Sequence, residues 1–229
     1  DKEEVSSVKK LLASRFEMKD LGPARRILGM DIVRNRKGGV LTLSQSGYIK
    51  KGLQAFNMAE AKSVTTPIGA QFRLSAIKDD DGQEPVGDDV PYSNAIGSVM
   101  YAMLGTRCDV AYAVGLISRF MSNPSSEHWL AVKWIMRYIK GALGINLTFT
   151  RGSDFKVRGY CASDYASALD KSRSTTGYVY TVGGNTVSWR SSLQKVVALS
   201  TTEAEYMALS DAVREGIWLK GICKELKLS

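Results

Sequence analysis

The chain has 229 residues, of which 44% are hydrophobic and 24% are charged, a balance typical of a globular protein with a buried core. The net charge of +8 at pH 7 fits an anionic partner such as nucleic acid, although solvated surface cations explain many basic proteins equally well. No apolar run approaches the roughly 20 residues that a membrane-spanning helix needs, so we expect no membrane partner.

The cysteines indicate a reducing compartment. The three residues Cys108, Cys161 and Cys223 are widely separated and form no CxxC pair, so we expect neither a disulfide framework nor a zinc site. The N-terminus is charged and helical in pattern, unlike a signal peptide. These features predict a location in the cytoplasm or nucleus.

The first part of the chain predicts a helix, a hairpin and a second helix. Apolar residues at helical spacing predict an amphipathic helix over residues 3–16. Residues 26–33 and 40–43 predict two strands, and the glycine pair between them predicts a hairpin turn. Ser44 is expected to cap the second helix, over residues 45–56.

The middle of the chain predicts a loop followed by helices. Residues 60–91 predict little regular structure, and their acidic run Asp79 to Asp81 is interpreted as a solvated loop rather than a metal site, because no apolar frame surrounds it. Residues 92–141 show helical periodicity with two breaks, which predicts three helices. His128 lies in the first turn of the third helix, where we expect a packing or capping role rather than catalysis.

Three cations lie on one edge of that third helix. Lys133, Arg137 and Lys140 are spaced at i, i+4 and i+7. Such an edge suits contacts with the phosphates of a nucleic acid, but it equally suits a solvated face. Both interpretations are open at this point.

The last part of the chain predicts strands followed by one helix. Residues 155–161, 177–182 and 186–189 predict antiparallel strands, and the apolar run 196–199 predicts a short buried fourth strand. The helix that follows is expected to continue to about residue 226.

Two glutamates begin that last helix in different roles. Ser200 and Glu203 form a capping-box pattern, which favours a structural role for Glu203. Glu205 lies in line with Ala208, Leu209 and Ala212, so we expect its carboxylate to face the core. A buried carboxylate is costly unless a cation meets it, so Glu205 is a candidate metal ligand.

Several runs resemble the Pol polyproteins of Ty1/copia-type retrotransposons. Three runs in the last part resemble the ribonuclease H segment, namely RSTTGYV at 173–179, VSW at 187–189 and VALSTTEAEY at 197–206. Others resemble the end of the reverse transcriptase with its thumb and connection, namely FEMKDLG at 16–22, LSQ at 43–45, GSVMY at 97–101, TRCDVAYA at 106–113 and RYIKG at 137–141. The resemblance runs through essentially the whole chain in order.

The resemblance implies an α+β fold in three parts. Residues 1–60 would end the reverse transcriptase palm and start the thumb, as a small hairpin with helices. Residues 61–152 would be a linker loop and the helical thumb and connection. Residues 153–229 would form the N-terminal half of a ribonuclease H-like domain, an incomplete mixed sheet with one helix.

The resemblance also implies a hydrolytic site, of which this chain holds little. The family cuts the RNA strand of RNA–DNA hybrids with two Mg²⁺ or Mn²⁺ ions about 4 Å apart, held by a cluster of carboxylates. Glu205 matches the family's helix glutamate. Relatives read Gly-Tyr-x-Asp-Ala-Asp on the first strand, whereas this chain has Ala162 at the first aspartate and keeps only Asp164, about 7 Å further along the strand.

We therefore expect no cleavage by this chain. The family's other two carboxylates are expected beyond Ser229, and its polymerase aspartate pair before Asp1. Glu205 is then a vestigial ligand, Asp164 a weaker candidate for a partial rescue, and no divalent ion is expected to bind tightly.

Two functions remain open on the sequence. The first is a retrotransposon fragment that binds the backbone of an RNA–DNA hybrid or duplex, through Lys133, Arg137 and Lys140. The second is a domesticated, non-enzymatic interaction module, in which a protein or a second copy pairs with the open edge of the incomplete sheet.

Overall fold

The computed structural model describes residues 2–77, 84–87, 89–152 and 154–228. The acidic run Asp79 to Asp81, interpreted above as a loop, lies outside these residues. Helix α1 (Lys2–Arg15) confirms the N-terminal helix predicted from periodicity. Its apolar face is not packed, because Leu11 remains 61% exposed and the following Phe16 64% exposed.

The described part of the chain contains a first antiparallel sheet, with strands β1 (Arg26–Ile27), β2 (Met30–Asn35), β3 (Val40–Ser44) and β4 (Leu147–Thr150) in that order. The single strand predicted over residues 26–33 is wrong, since Leu28 and Gly29 have φ values of +47° and +73° and form a turn between β1 and β2. The Tyr101 hydroxyl donates a hydrogen bond to the Leu28 carbonyl and holds this turn. Strand β4 was not predicted, and it pairs with β3.

Helices form the central body, namely α2 (Ser46–Ala55), α3 (Tyr92–Gly105), α4 (Ala111–Ile117) and α5 (Ser126–Gly141). Their predicted apolar stripes form the main core, in which Ile96, Ile117 and Ile135 are completely buried. The prediction that Ser44 caps α2 is wrong, because Gln45 is the N-cap residue and makes no side-chain cap hydrogen bond. Ser44 instead accepts a hydrogen bond from the Ser46 N–H (3.3 Å). Within the described ranges, no helix is long and apolar enough to cross a membrane.

The second sheet consists of β5 (Val157–Asp164), β6 (Thr175–Val182) and β7 (Asn185–Leu193), all antiparallel. Helix α6 (Thr201–Glu225) packs on the face that carries Tyr178 and Tyr180, and the Tyr180 hydroxyl donates to the Ala212 carbonyl (2.6 Å). Successive side chains alternate between faces, so Val179 lies on the other face, which α4 covers at β7.

The predicted fourth strand over residues 196–199 is wrong, and so is the mixed sheet for the residues described. Val196 is 56% exposed and Leu199 is 86% exposed, and neither pairs with a strand. The chain instead turns directly from β7 into α6, because the buried Gln194 side chain donates to the Thr176 hydroxyl (3.1 Å) and the Ala204 carbonyl (2.9 Å). An apolar run of strand length therefore forms no strand here.

The second sheet contacts the rest of the protein at several points. The indole N–H of Trp189 donates to the Met103 carbonyl (3.1 Å), and Arg119 forms an ion pair with Asp170. The Asn185 side chain also accepts a hydrogen bond from the backbone N–H at the end of β4 (2.7 Å). The divisions after residues 60 and 152 stay predictions.

Candidate functional site

The start of α6 is fixed by Ser200 and Glu203. The Ser200 hydroxyl accepts a hydrogen bond from the Glu203 N–H (3.1 Å), and the Glu203 carboxylate accepts one from the Leu199 N–H (2.6 Å). Both bonds satisfy backbone donors at the helix start, where the helix itself provides no acceptor. These contacts give Glu203 a structural role.

Glu205 lies on the exposed side of α6. The buried face of the helix is formed by Ala204, Ala208 and Ala212, and one residue along a helix turns the side chain by about 100°. The prediction that Glu205 faces the core is therefore wrong. Its Oε1 atom instead accepts a hydrogen bond from the Ser163 N–H at 3.1 Å, at the edge of β5 that has no neighbouring strand in the described ranges.

Asp164 ends β5 and faces α4, away from α6. The Tyr112 hydroxyl on α4 lies 3.5 Å from the Asp164 carboxylate. Burial and the Asp164 charge both raise the pKa of Tyr112, because both disfavour the phenolate. Ala162 lies two residues before Asp164 on the strand and therefore shares this face, and both residues line a cavity of about 460 Å³ between α4 and the sheet.

These residues do not fit the two-metal site that the resemblance implies. Ala162 supplies no oxygen, and Glu205 and Asp164 approach β5 from opposite faces. No group of three or more His, Cys, Asp or Glu residues that could hold a metal ion occurs in the part of the chain that is described. Mg²⁺ demands near-octahedral oxygen coordination, which Glu205 and Asp164 do not supply from opposite faces of a strand.

Two of the cations predicted to contact phosphate are engaged with the protein itself. The Arg137 Nε atom donates to the Lys62 carbonyl (2.6 Å), and the Lys140 ammonium donates to the Ala61 carbonyl (2.8 Å). The Arg137 guanidinium also lies 5.1 Å from the centre of the Trp134 ring, a cation–π distance. These side chains attach the segment after α2 to α5.

Lys133 is similarly placed against its own helix. Its ammonium lies 5.3 Å from the centre of the Trp129 ring, four residues earlier on α5. All three cations are therefore half-buried, rather than forming a freely solvated edge. Phosphate binding by these three cations stays a prediction. Their contacts within the protein give them a structural role as the alternative.

Comparisons with known proteins agree with the sequence motifs. The family described as "Reverse transcriptase (RNA-dependent DNA polymerase)" matches residues 1–70. The Pol polyprotein of transposon TNT 1-94 from Nicotiana tabacum is 50% identical over 230 residues, covering 100% of this chain and 17% of the relative. The Pol polyprotein of transposon RE1 from Arabidopsis thaliana is 35% identical over 94% of this chain and 14% of the relative.

The chain belongs to the Ty1/copia-type retrotransposon Pol family. It spans less than a fifth of these two relatives, 17% and 14% of their lengths. A secreted RxLR effector protein, number 161 of Plasmopara viticola, is 48% identical over 57% of this chain and 92% of its own length. No solved structure matches the chain.

The only histidine of this Pol segment has the structural role that the sequence predicted. The His128 Nδ1 atom accepts a hydrogen bond from the Ser125 N–H (2.8 Å), while the Ser125 side chain caps α5. The imidazole stacks on Phe120 with 4.0 Å between ring centres. Burial lowers the pKa of His128, because it disfavours the imidazolium.

One charged pair inside the Pol helical body has a structural role that the motifs did not reveal. Arg107 is fully buried and donates to the Asp109 carboxylate at 2.9 and 2.7 Å. The Tyr138 hydroxyl on α5 donates to the same carboxylate (2.9 Å). An arginine and an aspartate two residues apart, inside an otherwise apolar helical region, were the available sequence signal.

Proposed function

We propose that this Pol segment binds the sugar–phosphate backbone of an RNA–DNA hybrid or duplex, in the cytoplasm or nucleus, and does not cleave it. Family membership and the net charge of +8 support the binding. The observation that carries the absence of cleavage is Ala162 on β5, beside the Ser163 N–H that Glu205 contacts. Ala162 supplies no oxygen, and Glu205 and Asp164 approach β5 from opposite faces, so these two carboxylates do not share one metal ion.

Binding to a labelled RNA–DNA hybrid is expected to weaken steeply as salt is raised. Each phosphate contact releases counterions, so the logarithm of the affinity should fall linearly with the logarithm of the salt concentration, by about 0.9 per contact for a B-form duplex. Fluorescence anisotropy, measured at salt concentrations from about 50 to about 300 mM, gives this slope.

The same hybrid, incubated with the chain and either Mg²⁺ or Mn²⁺, is expected to stay intact on a denaturing gel. Glu205→Gln serves as the matched control and should give the same pattern as the original chain. Cleavage that disappears in Glu205→Gln would contradict the proposal. A binding affinity that does not change with salt concentration would also contradict it.

A second candidate function, protein interaction, is favoured by the surface of α6. Four large side chains follow one stripe of this helix at i, i+3, i+7 and i+11, and each is at least 46% exposed, namely Tyr206, Leu209, Val213 and Ile217. The nearby strand β5 has one unpaired edge in the described ranges. An apolar stripe beside an open edge suits a second copy of this chain that adds a strand and covers the helix.

Val213→Glu is expected to shift the chain towards the monomer if this stripe joins two copies. A charge in the middle of an apolar contact must lose its hydration when the copies associate. Sedimentation velocity over a hundredfold concentration range, on the order of the span needed to see a weak dimer, measures the effect. Val8→Glu, on the exposed face of α1, is the control. A monomer at all concentrations in the unmodified chain would exclude the dimer.

A further inference from the structure

The hairpin of β2 and β3 and the end of β4 surround a concave surface with three arginines. Arg34, Arg36 and Arg151 line a cavity of about 270 Å³, which we name the arginine surface. Leu41 and Phe149 also line it and supply apolar area. The arrangement therefore combines guanidinium groups with an aromatic side chain.

Strand register places these side chains together. Arg34 pairs with Leu41, and Leu41 pairs with Phe149, so the three lie on one face of the first sheet. The backbone N–H of Arg151 donates to the Gly39 carbonyl (2.7 Å) at the tip of the hairpin. A Cβ atom on Gly39 would lie 2.9 Å from the Arg151 Cβ, so a glycine allows this close approach.

The arginine surface carries positive charge with no acidic side chain beside it. None of the nine residues that line the cavity is acidic. The side chains of Arg34, Arg36 and Arg151 make no ion pair or hydrogen bond with any residue in the described ranges. Lys37, exposed at the hairpin tip, adds a fourth positive charge. These cations are therefore free to bind an anion without breaking a bond that holds the fold.

The α5 cations provide the contrast. The Arg137 and Lys140 donors are already bonded to backbone carbonyls, so a phosphate would have to displace those bonds. At the arginine surface nothing needs to be displaced except water. A guanidinium donates two parallel hydrogen bonds to phosphate oxygens, and an aromatic ring offers a face for the adjoining sugar or base.

We infer that the arginine surface, rather than the α5 edge, contacts the phosphodiester backbone of the bound nucleic acid. This inference rests on the proposed function and names the surface that performs it. It also explains how a run that matched no motif, Arg34-Asn35-Arg36-Lys37 in a hairpin, serves binding while remaining outside the protein core.

The test compares two double variants with the same change in net charge. Arg34→Ala/Arg36→Ala removes two cations from the arginine surface, and Lys50→Ala/Lys51→Ala removes two exposed cations from α2. For an RNA–DNA hybrid at about 0.1 M salt, the first variant should bind about tenfold more weakly for each phosphate-binding arginine removed, and its salt slope should fall by about two. The control should keep a slope close to that of the unmodified chain.

The outcomes separate this inference from the function on which it rests. If the unmodified chain binds with a steep salt slope and both double variants bind alike, the arginine surface does not touch the backbone. If the unmodified chain does not bind, the proposed function itself fails. Should the double variant unfold more easily, Arg36→Ala alone decides the matter, because Arg36 lies in the turn outside β2 and β3; it should lower the slope by about one.

Discussion

Arg107→Ala is expected to lower the free energy of unfolding by about 3–5 kcal/mol. Arg107 is completely buried, and besides its two bonds to Asp109 it donates to the Ala142 carbonyl (3.2 Å) after α5. Truncation would leave the Asp109 charge half-buried without its cationic partner, and the Tyr138 hydroxyl would still donate to it. Such an uncompensated charge costs far more than the loss of a surface pair.

The effect of Arg107→Ala should depend on pH. Burial by itself raises the pKa of Asp109, but the hydrogen bonds and charge of Arg107, with the Tyr138 hydroxyl, outweigh burial and leave the pKa below its ordinary value. A carboxyl whose pKa falls on folding contributes its stability above the unfolded pKa, about 3.9, and loses it as the pH falls through the folded pKa. The difference in the free energy of unfolding between the original chain and Arg107→Ala should be largest at neutral pH and should decrease below about pH 4.

Urea unfolding followed by circular dichroism measures this difference. Arg26→Ala is the matched control, because Arg26 and Asp31 form an ion pair at 2.8 Å that is largely exposed and should be worth at most about 1 kcal/mol. If Arg107→Ala fails to fold, Arg107→Ala/Asp109→Ala should recover part of the stability, since no unpaired charge then remains. A loss no larger than that of Arg26→Ala would contradict the burial argument.

Local periodicity predicted the elements whose packing partners are close in sequence. The helical stripes of α3 and α5 and the strands of the second sheet lie where their patterns indicated. Strand β4 could not be predicted, because its four residues are too few to show a clear periodicity. Its partner β3 also lies about 100 residues earlier in the chain, roughly the separation of Leu147 from Leu43. Residues 196–199 show the reverse error, since an apolar run lacks any signal for whether a neighbouring strand exists.

The orientation of the candidate site residues could not be predicted from the sequence. Helical spacing allowed either the face with Glu205 or the neighbouring face with Ala204 to be buried. The small side chains of Ala204, Ala208 and Ala212 form the buried face, so Glu205 lies on the exposed side. The α5 cations were identified by their spacing alone. Spacing cannot show that the backbone carbonyls of Ala61 and Lys62, in an earlier loop, accept hydrogen bonds from Lys140 and Arg137.

Gly216→Ala is expected to destabilise the protein by about 1–3 kcal/mol, although alanine ordinarily favours a helix over glycine by about 1 kcal/mol. A Cβ atom at Gly216 would lie 2.7 Å from the Tyr180 hydroxyl and 3.2 Å from its ring. Tyr180 is buried and fixed by its bond to the Ala212 carbonyl (2.6 Å). On β5, a Cβ atom at Gly159 would lie 2.4 Å from the same ring, so the tyrosine has little room to move.

Gly221→Ala is the matched control, because it makes the same substitution in the same helix where nothing lies within 4 Å. It should raise the free energy of unfolding by up to about 1 kcal/mol, so the two variants should move the urea midpoint in opposite directions. Repeating Gly216→Ala in a Tyr180→Phe background removes the nearest atom and should reduce its penalty. If both alanine variants stabilise the protein equally, α6 does not pack closely on Tyr180, and small residues are not what sets the approach of this helix to the sheet.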